Sequence, residues 1–292
     1  LSLDGALNAS LDVSAEVPGG SLAVSLSGRS QDLDIGVPQL PPVLSPPTEL
    51  ALQFSRDENG SRIAAFDLSN SELNATAQGQ INSADGTLEV SVNLREAGIF
   101  DERLRGPVAI EAALSDIQGI QNVAAQITSQ FGLAVDVNGD LAGPNAAVNL
   151  IGTFAEIERF AAPLNGEMAI DASLALSGEH PVAEARLMAE PGITALVSGP
   201  LSGPDAEVDV RLSMTDLGAF VPQLAGPSIV EGSFNLAGQG LPFEVTATAD
   251  PGLSANLAGT LTNEKPCVEL QASIYDLAEF VAPLPGPAEL TA

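Results

Sequence analysis

The chain has 292 residues, with 38 acidic against 10 basic side chains and a formal charge of −28, a balance that disfavours nucleic acid and acidic membrane surfaces as direct partners. One Cys and one His exclude an internal disulfide and a metal site built on several thiolates or imidazoles, and leave His180 as the sole imidazole on which a triad could be built. No run of about 18 apolar residues occurs, so the sequence predicts neither a transmembrane segment nor a secretory leader.

Residues 1–30 alternate from the start. Leu7, Ala9, Leu11, Val13, Ala15 and Val17 fall on one parity, and Asn8, Ser10, Asp12, Ser14 and Glu16 on the other; this period of two marks a half-buried strand. Gly19-Gly20 breaks the run, and Leu22, Val24 and Leu26 begin another. Over residues 31–50 the density of proline predicts an irregular loop, because Pro donates no ladder hydrogen bond. Val37, Leu40 and Leu44 keep apolar character there, which predicts docking against the core.

From residue 50 onward a period of 60 residues governs the chain. Phe100, Phe160, Phe220 and Phe280 share one position in it, and Gly106, Gly166, Gly226 and Gly286 another. Fixed-period similarity of this kind indicates stacked units that share one core. The boundaries fall at 1–46, 47–106, 107–166, 167–226 and 227–286, with residues 287–292 opening a further unit, and the whole reads as one continuous array cut from a longer chain.

Each unit carries four strand-like stretches. The first has Met168, Ile170, Ala172 and Leu174 on one side, matched by Val230, Phe234 and Leu236. The second has Ala183, Ala185 and Leu187, then Phe243, Val245 and Ala247. The third is the cleanest, with Leu133, Val135 and Val137, then Ile193, Ala195 and Val197, then Leu253, Ala255 and Leu257. The fourth repeats as Leu88, Val90 and Val92, then Val208, Val210 and Leu212, then Val268, Leu270 and Ala272. A register slip of one residue would turn every one of these side chains to the opposite face. The unit closes on a joint in which Leu217, Phe220 and Leu224 have helical spacing, Thr215 or Asp216 is the candidate N-cap, and Pro222 and Gly226 stop the helix within a turn or two.

A 60-residue unit of four one-sided strands buries too little surface to stand alone, so the prediction is an all-β fold: a long repetitive sheet with one aliphatic face. That face is covered either by closure into a sandwich or barrel or by curling around an apolar ligand, and alternation is the same for all of these. A membrane barrel is disfavoured because one Tyr and no Trp cannot build aromatic girdles.

The block LxxFxxPLxG(P), continuing into Ser228–Leu236 and then into ATADPGLSANLAGTL at 247–261, resembles the TamB family of Gram-negative envelope proteins, within the broader AsmA-like group. The resemblance covers residues 90–292 well and the first 90 more weakly. It implies a repeating β-groove, or β-taco, with a hydrophobic interior, held in the periplasm as part of an inner-membrane-anchored protein. It also implies phospholipid transport to the outer membrane, and outer-membrane protein translocation and assembly with a BamA-like partner, TamA. This sequence would then be a middle section of such a bridge, not an enzyme, and without a cofactor.

On that reading, phospholipid acyl chains meet Leu133, Val135, Val137, Ile193, Val197, Val208, Val210, Leu212, Leu253, Leu257, Val268 and Leu270, while Phe100, Phe160, Phe220 and Phe280 mark the repeat joint and the last three of them plug or stiffen the edge of the trough. The competing expectation is an acidic adhesin or stalk of closed β-sandwiches, in which the same positions form a dry core. Other motifs carry less. His180 falls in a turn, Asp136-Val137-Asn138-Gly139-Asp140 lacks the spacing and terminal Glu of a calcium-binding EF-hand loop, and Cys267 takes an outward parity.

Overall fold

The computed structural model describes residues 4–16, 20–34, 41–58, 60–81, 86–117, 120–159, 164–190, 192–237, 240–250, 252–261, 267–276 and 286–291. They form nineteen strands: β1 Asp4–Glu16, β2 Ser21–Asp34, β3 Thr48–Asp57, β4 Gly60–Ser69, β5 Leu73–Ile81, β6 Thr87–Leu94, β7 Val108–Ile117, β8 Ile120–Ser129, β9 Leu133–Asp140, β10 Ala147–Phe154, β11 Asn165–Ala175, β12 Val182–Glu190, β13 Ile193–Pro200, β14 Glu207–Met214, β15 Ser228–Asn235, β16 Leu241–Ala249, β17 Leu253–Leu261, β18 Cys267–Ile274 and β19 Ala288–Thr291. The fold is all-β and antiparallel, as period-two alternation demands. The fourth strand of each group begins and ends at a spacing of 60 residues, in β6, β10, β14 and β18.

Two compact units divide the chain, Leu1–Val148 and Asn149–Ala292, with the boundary inside β10. In the first, β1 to β9 pair in sequence order, each antiparallel to the next. In the second, β11 to β19 do the same. Such a meander needs only short turns and keeps every sequence neighbour a hydrogen-bonded neighbour.

Residues 31–50 correct the expectation of a continuous loop. β2 runs on to Asp34, a single helical turn α1 occupies Pro41–Leu44, and β3 begins at Thr48. The proline pair Pro41-Pro42 stands in the first turn of α1, where missing N–H groups cost nothing. The expected docking holds at Leu44, which is buried, as is Val43; Val37 and Leu40 lie outside the described residues. Asn70 fixes this corner, its amide donating to the Val43 carbonyl at 2.9 Å and to Thr48 Oγ1 at 2.8 Å.

Burial is concentrated at the strand ends. Among the described residues the buried apolar side chains are Val43, Leu44, Ala97, Phe131, Val135, Ala146, Phe154, Ile157, Ala206 and Ala249. Only Val135, Phe154 and Ala249 of these stand on strands; the others occupy α1, the joints and the turns. The chain exposes 17517 Å², more than the ~14,000 Å² that two separate globular chains of half its mass would expose together. The sheet faces are therefore far less covered than an ordinary core.

Candidate functional site

Directly opposed residues of an antiparallel ladder share a face, so the registers build the candidate surface row by row. In the second unit one row reads Ile170, Leu187, Ala195, Leu212, Val230, Ala247, Ala255, Ala272 and Leu290 across β11 to β19. The next reads Val197, Val210, Gly232, Val245, Leu257 and Leu270. The first unit has its counterpart in Leu11, Leu26, Leu52, Phe66, Ala77, Val90, Ala112, Ala125 and Val137. Each unit thus has a face with aliphatic rows unbroken over nine strands.

The residues expected to line a groove all lie on these faces. Val135 is buried; Leu133, Val137, Ile193, Val197, Val208, Val210, Leu212, Leu253, Leu257 and Leu270 are half-buried, and Val268 is 46% exposed. Half-burial on one parity and exposure on the other is the pattern of a sheet without a second layer packed tightly against it. Phe234 and Phe243 add an aromatic pair to one row, stacked with centroids 6.1 Å apart, beside Gly259 and Val268.

The opposite face is polar. Asp171, Arg186, Leu196, Arg211, Glu231, Thr246, Asn256 and Gln271 make one of its rows, with an exposed ion pair between Arg211 and Glu231 at 2.9 Å. A depression of about 980 Å³ in the first unit belongs to this face, walled by Asp67, Gln78, Glu89, Glu111, Gln126 and Asp136. It is a trough between two rows of long polar side chains, floored by the backbone of the row between them.

The joints depart from expectation in two ways. Phe100 is 45% exposed and Phe220 only half-buried, whereas Ala97 and Ile157, three residues before the Phe position, are buried. The first apolar residue of the joint is thus its anchor at these copies; Phe160 and Phe280 lie outside the described residues. The second departure is a carboxylate clasp. Asp216, rather than Thr215, caps the 3₁₀ turn Leu217–Ala219, its Oδ1 accepting from the Gly218 N–H at 2.8 Å and from the Gly226 N–H at 3.0 Å. Glu96 does the same with Gly98 at 2.9 Å and Gly106 at 2.7 Å, and Asp276 accepts from Gly286 at 3.0 Å. One carboxylate thereby satisfies two N–H groups across the joint.

These clasps were visible in the sequence as an acid at 96, 156, 216 and 276, ten residues ahead of Gly106, Gly166, Gly226 and Gly286. Reading only the cap position missed the second bond. At Glu156 the carboxylate forms an ion pair with Arg159. The two N–H bonds, from Gly106 first and Gly98 second, hold the Glu96 carboxyl below its ordinary range, with Arg105 adding a favourable charge. Nearby, the Arg103 guanidinium grips both Asp101 oxygens and lowers that carboxyl to about 2.

The remaining motifs behave as turn and strand residues. His180 packs in a turn against Gly203, with Ser202 Oγ 3.5 Å from its Nδ1. Asp136 and Asp140 accept from Gln126 and Asn122 on the neighbouring strand. Cys267 is exposed. Among the described residues no group of three or more metal-ligating side chains occurs, and no helix there is long and apolar enough to cross a membrane. No protein-family profile, curated protein or solved structure matches the chain.

Proposed function

We propose that this chain is a section of a lipid-carrying bridge of the cell envelope, its aliphatic faces shielding phospholipid acyl chains as they pass through the periplasm between inner and outer membranes. The observation that carries the reading is the set of unbroken, half-exposed aliphatic rows in each unit. Burial of an acyl chain there gains about 25 cal/mol per Å² without directional bonds. Equivalent rows every few ångströms then give no single deep well, which permits sliding. The resemblance of the joint and strand grammar to the TamB family supports the same setting: a hydrophobic β-groove in an inner-membrane-anchored protein, with a part in outer-membrane protein assembly beside TamA.

The test is site-specific photocrosslinking in cells. Probes at Val197, Val210, Leu212 and Leu257 should capture phospholipid well above a probe at outward Asn256. Equal capture at all five positions would remove the basis for the proposal. A protein that purifies from membranes without lipid by native mass spectrometry would instead favour a closed, acidic β-sandwich stalk.

A further inference from the structure

The 60-residue repeat is broken at one place in a chemically specific way. Position 72 holds Glu where the later copies hold Gly132, Gly192 and Gly252, and position 95 holds Arg where they hold Ala155, Thr215 and Tyr275. Asn74 replaces Ala134, Thr194 and Ser254; Asn93 replaces Thr153, Ser213 and Ser273; Gln130 replaces Glu190 and Asp250. Planar hydrogen-bonding groups stand at all five positions, which the fold brings together, where the later copies hold mostly small or acidic residues and, at position 275, Tyr.

They line one cleft of about 380 Å³ with Thr128, at the ends of β5 to β8, a volume within the range of small-molecule sites. One backbone bond is common to the copies, the N–H of Arg95, Thr215 and Tyr275 donating to the carbonyl of residue 72, 192 and 252 at 2.8, 3.1 and 3.0 Å, although Gly192 and Gly252 take positive φ and Glu72 does not. What differs is the space above. A Cβ on Gly192 would lie 2.1 Å from Thr215 Oγ1, and one on Gly252 2.9 Å from Tyr275 Cβ, so there the later residue folds over the glycine. Glu72 occupies that place in this copy, and Arg95 lines an open cleft instead. The turn beneath is rigid, since Asn70 Oδ1 accepts from the Glu72 and Leu73 N–H groups at 2.8 and 2.7 Å.

Glu72 and Arg95 line the same cleft, and neither forms an ion pair with a described residue. A guanidinium, a carboxylate, four primary amides and three hydroxyls therefore line one volume, with donors and acceptors interleaved and Ser71 Oγ donating to Glu72 Oε1 at 3.0 Å. Their formal charges cancel, and the −28 of the whole chain repels a free anion. Vicinal hydroxyls, each both donor and acceptor, match such a lining. We propose that this cleft binds a neutral polyhydroxylated ligand, a saccharide unit. The site stands on the polar side of the strands and is independent of the lipid reading.

Saturation-transfer NMR on the whole chain, with glucose and N-acetylglucosamine as probes, tests this. Transfer to at least one sugar is expected, and Glu72→Gly and Arg95→Thr, residues that the same molecule carries at positions 192 and 215, should each weaken it roughly tenfold through loss of charge-assisted hydrogen bonds. Circular dichroism should be unchanged, because glycine accepts the backbone that Glu72 adopts and Thr suits the end of a strand. Three results overturn the proposal: no transfer to either sugar at millimolar concentration, equal transfer in both variants, or ³¹P line-broadening of inorganic phosphate that Arg95→Thr abolishes while the sugars stay unbound.

Discussion

Every 60-residue repeat from residue 47 onward has two glycine-marked points, and different physics holds each of them. Near the end of β13, Gly199 has φ +147° and its missing Cβ would lie 2.0 Å from the Glu207 carbonyl oxygen in β14. Gly79, Gly139 and Gly259 face Thr87, Ala147 and Cys267 at 2.0 to 2.2 Å in the same way. At the joint, Gly226, with φ +143°, contributes its N–H to Asp216, and the nearest atoms to a Cβ there belong to Asp250, its Cβ first at 2.8 Å. The strand crossing is thus fixed by a direct backbone collision at 2.0 Å, and the joint by hydrogen bonds to Asp216 beside a looser contact at 2.8 Å. Steric exclusion sets where the third strand hands over to the fourth; bonding only sets how firmly the joint is closed.

The sharpest way to break that comparison is Gly199→Ala. A strained φ and a backbone collision together should cost on the order of 3 kcal/mol or more in urea titration. Gly143→Ala is the control, since its φ is +115° but nothing lies within 4 Å of the added Cβ; it should cost about 1 to 2 kcal/mol, the conformational part alone. Equal losses at the two sites would show that the carbonyl contact does not matter.

At the joint the effects shrink. A fully buried Phe removed to Ala costs about 3 to 5 kcal/mol, but Phe220 is half-buried, so Phe220→Ala should cost about 2 kcal/mol. A loss at the full-burial level would mean that Phe220 is covered in solution by something beyond its own joint. Asp216→Ala comes next, at about 1 kcal/mol, the usual worth of a cap. Hydrogen exchange should show the Gly218 and Gly226 amides losing protection while the ladder between β13 and β14 keeps its own. Spread of the loss into β13 would contradict the separation of joint from crossing.

How much of this was legible depends on which interaction writes itself into residue type. Alternation fixed parity because a ladder has period two, so Val210 and Leu212 could be placed on the apolar face, and Asp209 and Arg211 opposite them, without coordinates. The joint was read by hydrophobic spacing, which does not fix depth: Phe100 is 45% exposed, because an apolar residue beside a single 3₁₀ turn is not thereby carried into a core. Proline density hid β2's extension to Asp34 and the entry into β3, since Pro reports where a ladder cannot donate, not how short the interruption is. The clasp was spelled out by the ten-residue spacing of acid and glycine, yet a capping rule that looks two or three residues ahead does not search that far. The cleft at Arg95 was equally present as five departures from the repeat, but only the fold shows that positions 72, 74, 93, 95 and 130 meet.

The smallest and most local effect concerns Glu96, where the clasp can be titrated without touching the crossing. Its carboxyl is held below the ordinary value of 4.5 by the Gly106 and Gly98 N–H groups. A depressed folded-state value means that the anion's contribution is complete above the unfolded value and is lost as pH falls through the folded one, below 4.5. Arg105 lies beside this clasp, Arg103 is held by Asp101, Gln130 faces Gly106, and Glu102 is the other acid of the joint. The amide proton shifts of Gly98 and Gly106 should therefore move together in acid, with one midpoint under 4.5. Glu96→Gln, whose amide oxygen accepts the same two bonds without ionising, should leave both shifts flat over that range. A shared midpoint that survives the Gln substitution would assign the titration to a group other than Glu96 and leave the clasp as a hydrogen-bonded cap whose charge does no further holding.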